Sequence, residues 1–327
     1  MHKNFFTFTA NSHFELGKKI GLKFKKEAHL ALDKKSDENL PKRLETAQKM
    51  LALTDVYFPE YLEEVKGYAE GAEIEFLKMW MLAIEDDADA EIAAKCTSII
   101  TNGGKMLVHS EDAAGPGLEN EICILKKTIK ELTTLEIYYY NTLGGVSVGL
   151  NSRGFALALN TILDKPQQIG IPKGVIARKL LDSKDPANDF EKIKGLRLAD
   201  GYNHNIIDVD GNIINIELSI NESEISFPKS PFSHTNHCLL LNKVEKIDDD
   251  YGTFSRLEKA INTPSRASVQ DLQKLIEDDS FGKDKSINNE RTIGRMIVDF
   301  ENLNCHIWLK RENNLGWVKY PIDFIKK

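Results

Sequence analysis

The stretch CTSIITNGGKMLVHSEDA, Cys96 to Ala113, decides how this chain folds. CTSIIT and KMLVHS are rich in β-branched and apolar residues, and Gly103-Gly104 between them turns the chain, so the stretch predicts a β-hairpin. The hairpin opens on Cys96, and its return strand closes on the acidic pair Glu111-Asp112. Immediately upstream, an apolar helical run ends in charge. A structural cysteine needs neither a strand start nor a carboxylate at the end of the return strand. A nucleophile needs a fixed backbone and polar groups close by.

Working outward, the pattern changes character at this point. Before it, HFELGKKIGLKFKKEAHLAL, PKRLETAQKMLALT and PEYLEEVKGYAEGAEIEFLKMWMLAI carry apolar residues at helical spacing, and Pro59 suits a first turn. Hardly a strand candidate precedes residue 96. After it come hairpins at GGVSVGLN-SRG-FALALNTI and HNIIDV-DG-NIINIELS, the latter turning on Asp210-Gly211. Further strands are predicted at HCLLLNKV, RTIGRMIVDF, CHIWLKR and WVKYPIDF. Helices are predicted at IPKGVIARKLLD, PANDFEKIKGL, TFSRLEKAIN and SVQDLQKLIEDD, and FGKDKSINNE reads as a mobile polar loop. A helical segment followed by antiparallel hairpins with interposed helices implies an α+β fold rather than alternating βαβ units.

Composition narrows the function classes. The 327 residues are 41% hydrophobic and 28% charged, as in a soluble globular protein with a sizeable core. A net charge of −7 argues against an electrostatic grip on nucleic acid. No apolar run reaches the roughly 18 residues of a membrane span. The N-terminal MHKNFFTFTANSHFELG lacks the apolar core of a secretion signal, so a cytoplasmic location is expected. Cys96, Cys123, Cys238 and Cys305 match neither a disulfide framework nor a zinc pattern.

Cys96-Thr97, Ser110-Glu111-Asp112, GFALALNT and HTNH, in that order and with these gaps, resemble the acyl-coenzyme A:isopenicillin N acyltransferase family. ELGKKIG and TIGRMIVDF add to the likeness, which spans most of the chain. The family includes β-alanyl-amine hydrolases and belongs to the N-terminal nucleophile hydrolases, near the choloylglycine and penicillin V hydrolases. The resemblance implies an αββα sandwich, made as a precursor that cuts itself between Lys95 and Cys96. Residues 1–95 would then be a helical small chain that stays associated with an αββα domain of residues 96–327.

The resemblance also assigns roles. Cys96 would be the nucleophile, its freed α-amine accepting the thiol proton, and Asp112 would orient that amine. Asn236 of HTNH would aim its side-chain amide at the oxyanion, and Asn160 of LALNT its backbone N–H. Ser255-Arg256 of TFSRLEKA matches a family pair, with the arginine able to hold Asp112 or a substrate carboxylate. The implied activity is cleavage of a small N-acyl or aminoacyl amide through a thioester. The acyl group would pass to water or to an acceptor amine, with acyl-coenzyme A as a donor in the transfer version. No cofactor and no metal are expected; His234 and His237 lack a third ligand at recognisable spacing.

Two positions depart from the family pattern. Lys95 stands where relatives most often have glycine, which accepts strain before a scissile bond most easily. His109 stands where the bile-salt and penicillin V hydrolases have arginine. A chain left whole by Lys95, serving as a silent binding or structural protein, is therefore the alternative reading. Glu111-Asp112-Ala113 is closer to the β-alanyl-amine hydrolase branch than to the penicillin branch, which usually carries tryptophan before the aspartate. DVDGN lacks the oxygen spacing of a calcium loop, and GGVSVG lacks the ending of a phosphate loop. Tyr138-Tyr139-Tyr140 suit either a sheet or a pocket wall.

Overall fold

A computed structural model describes residues 1–84, 96–113, 115, 117–162, 168–242 and 252–325. The hairpin at Cys96 is present as β2 (Thr97–Thr101) and β3 (Met106–Asp112), paired antiparallel with Ser98 opposite His109. Around it, β11 (Phe232–His234), β12 (Thr292–Asp299), β13 (Asn304–Leu309) and β14 (Val318–Pro321) complete a six-stranded sheet in the order β11-β2-β3-β12-β13-β14. A second sheet has eight strands. These are β1 (Phe5–Ala10), β4 (Ile122–Ile129), β5 (Leu132–Tyr139), β6 (Val148–Asn151), β7 (Phe155–Thr161), β8 (Tyr202–Asp208), β9 (Ile213–Leu218) and β10 (Ser223–Ser226), in that order.

Period-two alternation sends alternate side chains of each sheet inward, and the inner faces share one core that includes Ile100, Leu107, Ile124, Leu150, Ala158, Met296 and Ile307. The outer face of the eight-stranded sheet is covered by α1 (His13–Lys23), α2 (Lys25–Lys35), α3 (Leu40–Tyr57), α4 (Pro59–Ala72) and α5 (Phe76–Ala83), joined by α6 (Lys173–Leu181) and α7 (Pro186–Ile193). On the six-stranded sheet, α8 (Thr253–Ile261) and α9 (Val269–Ile276) bury Ala260, Leu272 and Ile276 against Ile99, Val108 and Ile297. The layers are therefore helix, sheet, sheet, helix: an αββα sandwich of the α+β class.

Three sequence expectations are corrected. The N-terminal segment holds a strand: β1 runs parallel to β4, with Phe5 in the inter-sheet core and Phe6 and Phe8 against Phe24. Its alternation of aromatic and threonine residues is strand-like, but six residues beside a helical pattern are a weak signal. HCLLLNKV does not form a strand over its described part, residues 237–242. The N–H groups of Leu239, Leu240 and Leu241 all donate to the buried Glu217 carboxylate, which bends the backbone around an anion instead of along a ladder. The FGKDKSINNE loop is anchored at its end, since Ser286 and Asn289 are buried.

Residues 1–84 share the helix-layer core with the rest of the chain: Leu16, Ile20 and Trp80 lie in one cluster with Leu125, Leu157 and Leu180. Within this layer α1 and α4 touch backbone to backbone. A Cβ at Gly17 would sit 1.8 Å from the Glu64 carbonyl oxygen, and one at Gly67 2.0 Å from that of Phe14.

Candidate active site

Cys96 immediately precedes β2 and is 4% exposed. Its main chain is held on both sides. The Cys96 N–H donates to Asn236 Oδ1 at 3.0 Å, and Arg256 Nη1 donates to the Cys96 carbonyl oxygen at 2.7 Å and to Thr97 Oγ1 at 2.9 Å. Arg256 Nη2 closes the ring by donating to Asn236 Oδ1 at 2.8 Å. Arg256 is fully buried on the first turn of α8, and Ser255 before it is half-buried. The Asn236 loop is tied to the same helix start, its N–H donating to Thr253 Oγ1 at 3.0 Å. Asn236 Nδ2 donates to the Thr161 carbonyl oxygen at 3.1 Å, so in this arrangement the side chain faces Cys96 with its oxygen.

Alternation along β2 and β3 separates the remaining polar groups. Ser98, His109 and Glu111 share the face of Cys96. One sulfur, one ring nitrogen and one carboxylate oxygen of Cys96, His109 and Glu111 lie within 4.8 Å of one another. His109 bridges Ser98 Oγ through Nδ1 at 3.0 Å and Glu111 Oε2 through Nε2 at 2.9 Å. Glu111 also accepts from Tyr139 Oη at 2.7 Å and from Ser147 Oγ. Beyond Ser98 the chain of contacts continues to Asn160 Oδ1 at 2.9 Å, which Asn205 Nδ2 also approaches at 2.8 Å. The Asn160 side chain thus enters the inter-sheet layer, while its neighbours Leu159 and Thr161 face the cavity described below. Both ring nitrogens of His109 are occupied by hydrogen bonds. His234 is occupied likewise, by Thr235 O and Glu217 Oε1, and His237 contacts Thr253 Oγ1 at 2.9 Å.

Asp112 is fully buried on the other face of β3. Its Oδ2 accepts from Asn289 Nδ2 at 2.6 Å, and its Oδ1 has no hydrogen-bond partner among the described residues. Burial pushes the Asp112 carboxyl up to about 6, with the Arg256 guanidinium and Asn289 pulling the other way. Burial also raises the Cys96 thiol well above its ordinary value; Glu111 and Asp112 add to that, while the Asp112 backbone N–H and Arg256 oppose it. An inert thiol is the consequence unless a neighbouring group takes its proton.

A cavity of about 140 Å³ opens beside Cys96. Its walls come from both parts of the chain: Leu82, Ala83 and Ile84 from the end of α5, and Leu118, Tyr139, Val146, Leu159 and Tyr202 from the sheet layer. Glu111 and Glu121 also line it, and no lysine or arginine is among the described lining residues. Of the three adjacent tyrosines, Tyr139 and Tyr140 face this cavity and Tyr138 is packed in the core.

The structure therefore brings Cys96, Asn236, Arg256 and Asp112 into one region. Asn160 joins it through Ser98 and His109, and Lys95 lies outside the described residues. Sequence reasoning missed Asn289, Tyr139 and Ser147 as partners of the two carboxylates. A polar loop, a tyrosine run and a glycine-rich turn carry no signal of such contacts until the chain is folded.

Comparison with known proteins gives four findings. The model of the family described as acyl-coenzyme A:6-aminopenicillanic acid acyl-transferase matches residues 100–314. The beta-alanyl-dopamine/carcinine hydrolase of Drosophila melanogaster is 25% identical over 324 residues, covering 84% of this chain and 83% of that protein. The 40 kDa form of the acyl-coenzyme A:6-aminopenicillanic-acid-acyltransferase of Emericella nidulans is 25% identical over 286 residues, covering 79% and 77%. Among solved structures, a mutant of conjugated bile acid hydrolase from Clostridium perfringens aligns with a TM-score of 0.43 at 9% identity, over 71% of this chain and 93% of that one.

Proposed function

The chain belongs to the acyl-coenzyme A:6-aminopenicillanic acid acyl-transferase family, and on that premise we propose that it is a self-processing cysteine amidohydrolase acting on a small aminoacyl or N-acyl amine. Scission between Lys95 and Cys96 would turn the Cys96 nitrogen into an α-amine. That amine would accept the thiol proton, the sulfur would add to the substrate carbonyl, and the amine product would leave with a proton. Water would then release the acyl group from the thioester. Arg256 and Asn236 act as positioning residues that hold the Cys96 main chain so that the nitrogen and the sulfur keep their relation.

The observation that carries this reading is the double lock on the Cys96 backbone beside a cavity. The fully buried Arg256 on its carbonyl oxygen fixes the Cys96 main chain where the cavity begins. The cavity supports the substrate class. Glu111 on the cavity wall, with no lysine or arginine among the described lining residues, favours a cationic aminoacyl group over a carboxylate-bearing acyl chain, whereas Glu121 is already paired with Lys34. Hydrolysis is preferred to transfer on the same ground as the β-alanyl class: the longer match is to a protein named as a hydrolase.

The test is intact mass spectrometry of fresh and incubated protein, followed by assay of N-β-alanyl, N-acetyl and phenoxyacetyl amides. Fragments meeting at Lys95/Cys96 and preferential hydrolysis of the β-alanyl amide are expected, and Cys96→Ala should abolish both. A Cys96→Ala protein that still turns over substrate would sink the assignment. A wild-type chain that stays whole and hydrolyses none of the amides would move the silent binding-protein reading forward.

A further inference from the structure

A peptide nitrogen cannot serve as a base, because its lone pair is delocalised into the carbonyl. In the uncut chain the Cys96 nitrogen is such a nitrogen, and it donates its proton to Asn236 Oδ1. The α-amine base is thus missing in the step that would create it. Asp112 lies on the opposite face of β3, bound to Asn289. The groups that share the face of the sulfur are His109 and Glu111.

We propose that His109 and Glu111 form a proton-sharing pair that takes the thiol proton of Cys96 while the Cys96 nitrogen is still in peptide linkage. The inference rests on the reading of Cys96 as nucleophile and adds a second base to it.

Counting protons along the chain of contacts defines the pair. Asn205 donates to Asn160 Oδ1, and the single hydroxyl proton of Ser98 is donated to that same oxygen. Ser98 Oγ therefore accepts from His109, so Nδ1 carries a proton. Nε2 and Glu111 Oε2, 2.9 Å apart, then hold one proton between them. Tyr139 and Ser147 donate to Glu111 and fix the orientation of its carboxyl group. The pair has room for one more proton, on the carboxylate. In the step, the S–H bond breaks, its electron pair stays on sulfur, and the proton passes to Glu111. A thiolate facing an imidazolium results, and the proton can later return to the departing nitrogen. No oxidant or co-reactant is involved.

The charged and titratable neighbours on each packed element are identifiable. Asp112 shares β3, Arg256 faces from α8 and Tyr139 from β5. Glu121 and Tyr140 line the same cavity, Tyr202 reaches it from β8, and Arg295 of β12 lies level with Ser110.

The experiment is the rate of Cys96 alkylation by iodoacetamide on the freshly purified uncut chain, from about pH 5 to about pH 10, read by mass spectrometry. Where the chain cuts itself too fast for labelling, the pH profile of fragment appearance is read instead. The wild type should show two steps, the lower one belonging to the pair. His109→Gln should remove the lower step and slow alkylation and self-cleavage at neutral pH by about 10²-fold, and Glu111→Gln should displace it. A single thiol step in the wild type overturns the proposal even if neither variant folds. A folded His109→Gln with an unchanged profile and cleavage rate overturns it while leaving the family reading intact. Conversely, a two-step profile in a chain that never hydrolyses an amide supports the pair and removes the proposed function.

Discussion

Asp112 couples the site to the stability of the molecule. Its carboxyl, raised to about 6 by burial, holds its proton to higher pH when folded than when unfolded. As pH rises from the ordinary carboxylate value towards 6, the unfolded chain ionises first and the folded state loses stability. Above that window the penalty is constant, on the order of 2–3 kcal/mol. Asp112→Asn should flatten denaturant midpoints between about pH 4 and about pH 6 and raise the midpoint at neutral pH, whatever it does to turnover. A variant that keeps the wild-type slope would refute this account. Cys96, Asp112, Asn236 and Arg256 could be read from ordered motifs, because each sits in a short window of recognisable neighbours. Asn289 could not, since it stands 177 residues from Asp112 in the chain and its own window reads as solvent-loving.

At the scale of elements, three hairpins announced themselves through turn residues and alternation, whereas the β4–β5 hairpin, with charged residues within its strands and a turn at Lys130-Glu131, and the contacts between helices did not. The α1–α4 pair depends on glycines at positions 17, 21, 67 and 71, each of which faces the other helix's backbone. Gly17→Ala drives a methyl into a carbonyl that cannot move aside, and should cost about 1–3 kcal/mol or more. Thermal melting would check it, with a substitution at the exposed Lys26 of α2 as the neutral comparison. The break between α4 and α5 falls at Glu73 with φ 57°, a left-handed turn that helical periodicity alone ran through. The short β11 was overshadowed in the sequence by the more apolar run after it, whose N–H groups serve Glu217 instead.

Across the whole molecule, α4 and α6 are joined by a buried charge network. Glu64 of α4 receives both Arg178 Nη atoms of α6, at 2.8 and 3.1 Å, and His13 Nδ1 lies 2.8 Å from it. Burial alone would raise Glu64, but Arg178 and His13 outweigh it and hold the carboxyl down to about 2. Its contribution is therefore present above the ordinary glutamate value and is lost as pH falls through about 2. Glu64→Gln leaves Arg178 buried with Asp182 as its remaining carboxylate, and should destabilise the protein by about 3–5 kcal/mol at neutral pH. In the proposed cleaved form it should also release residues 1–95 at lower denaturant, read by size-exclusion chromatography. An equal midpoint for variant and wild type would refute the role of the network. Among the described residues no helix is long and apolar enough to cross a membrane.

The sequence by itself determined the class of fold, three of the hairpins and the order of the motifs, because alternation, turn residues and short motifs are local properties of the chain. It also placed a cysteine at a strand start with an acidic pair at the end of the returning strand. Only the tertiary structure decided which carboxylate belongs to which partner. One step along β3 turns a side chain to the other face, so Glu111 joins His109 and Cys96 while Asp112 turns to Asn289 and the Arg256 side. Cavity walls, buried charge pairs and backbone contacts between helices likewise unite residues far apart in the chain, and packing in three dimensions alone specifies them.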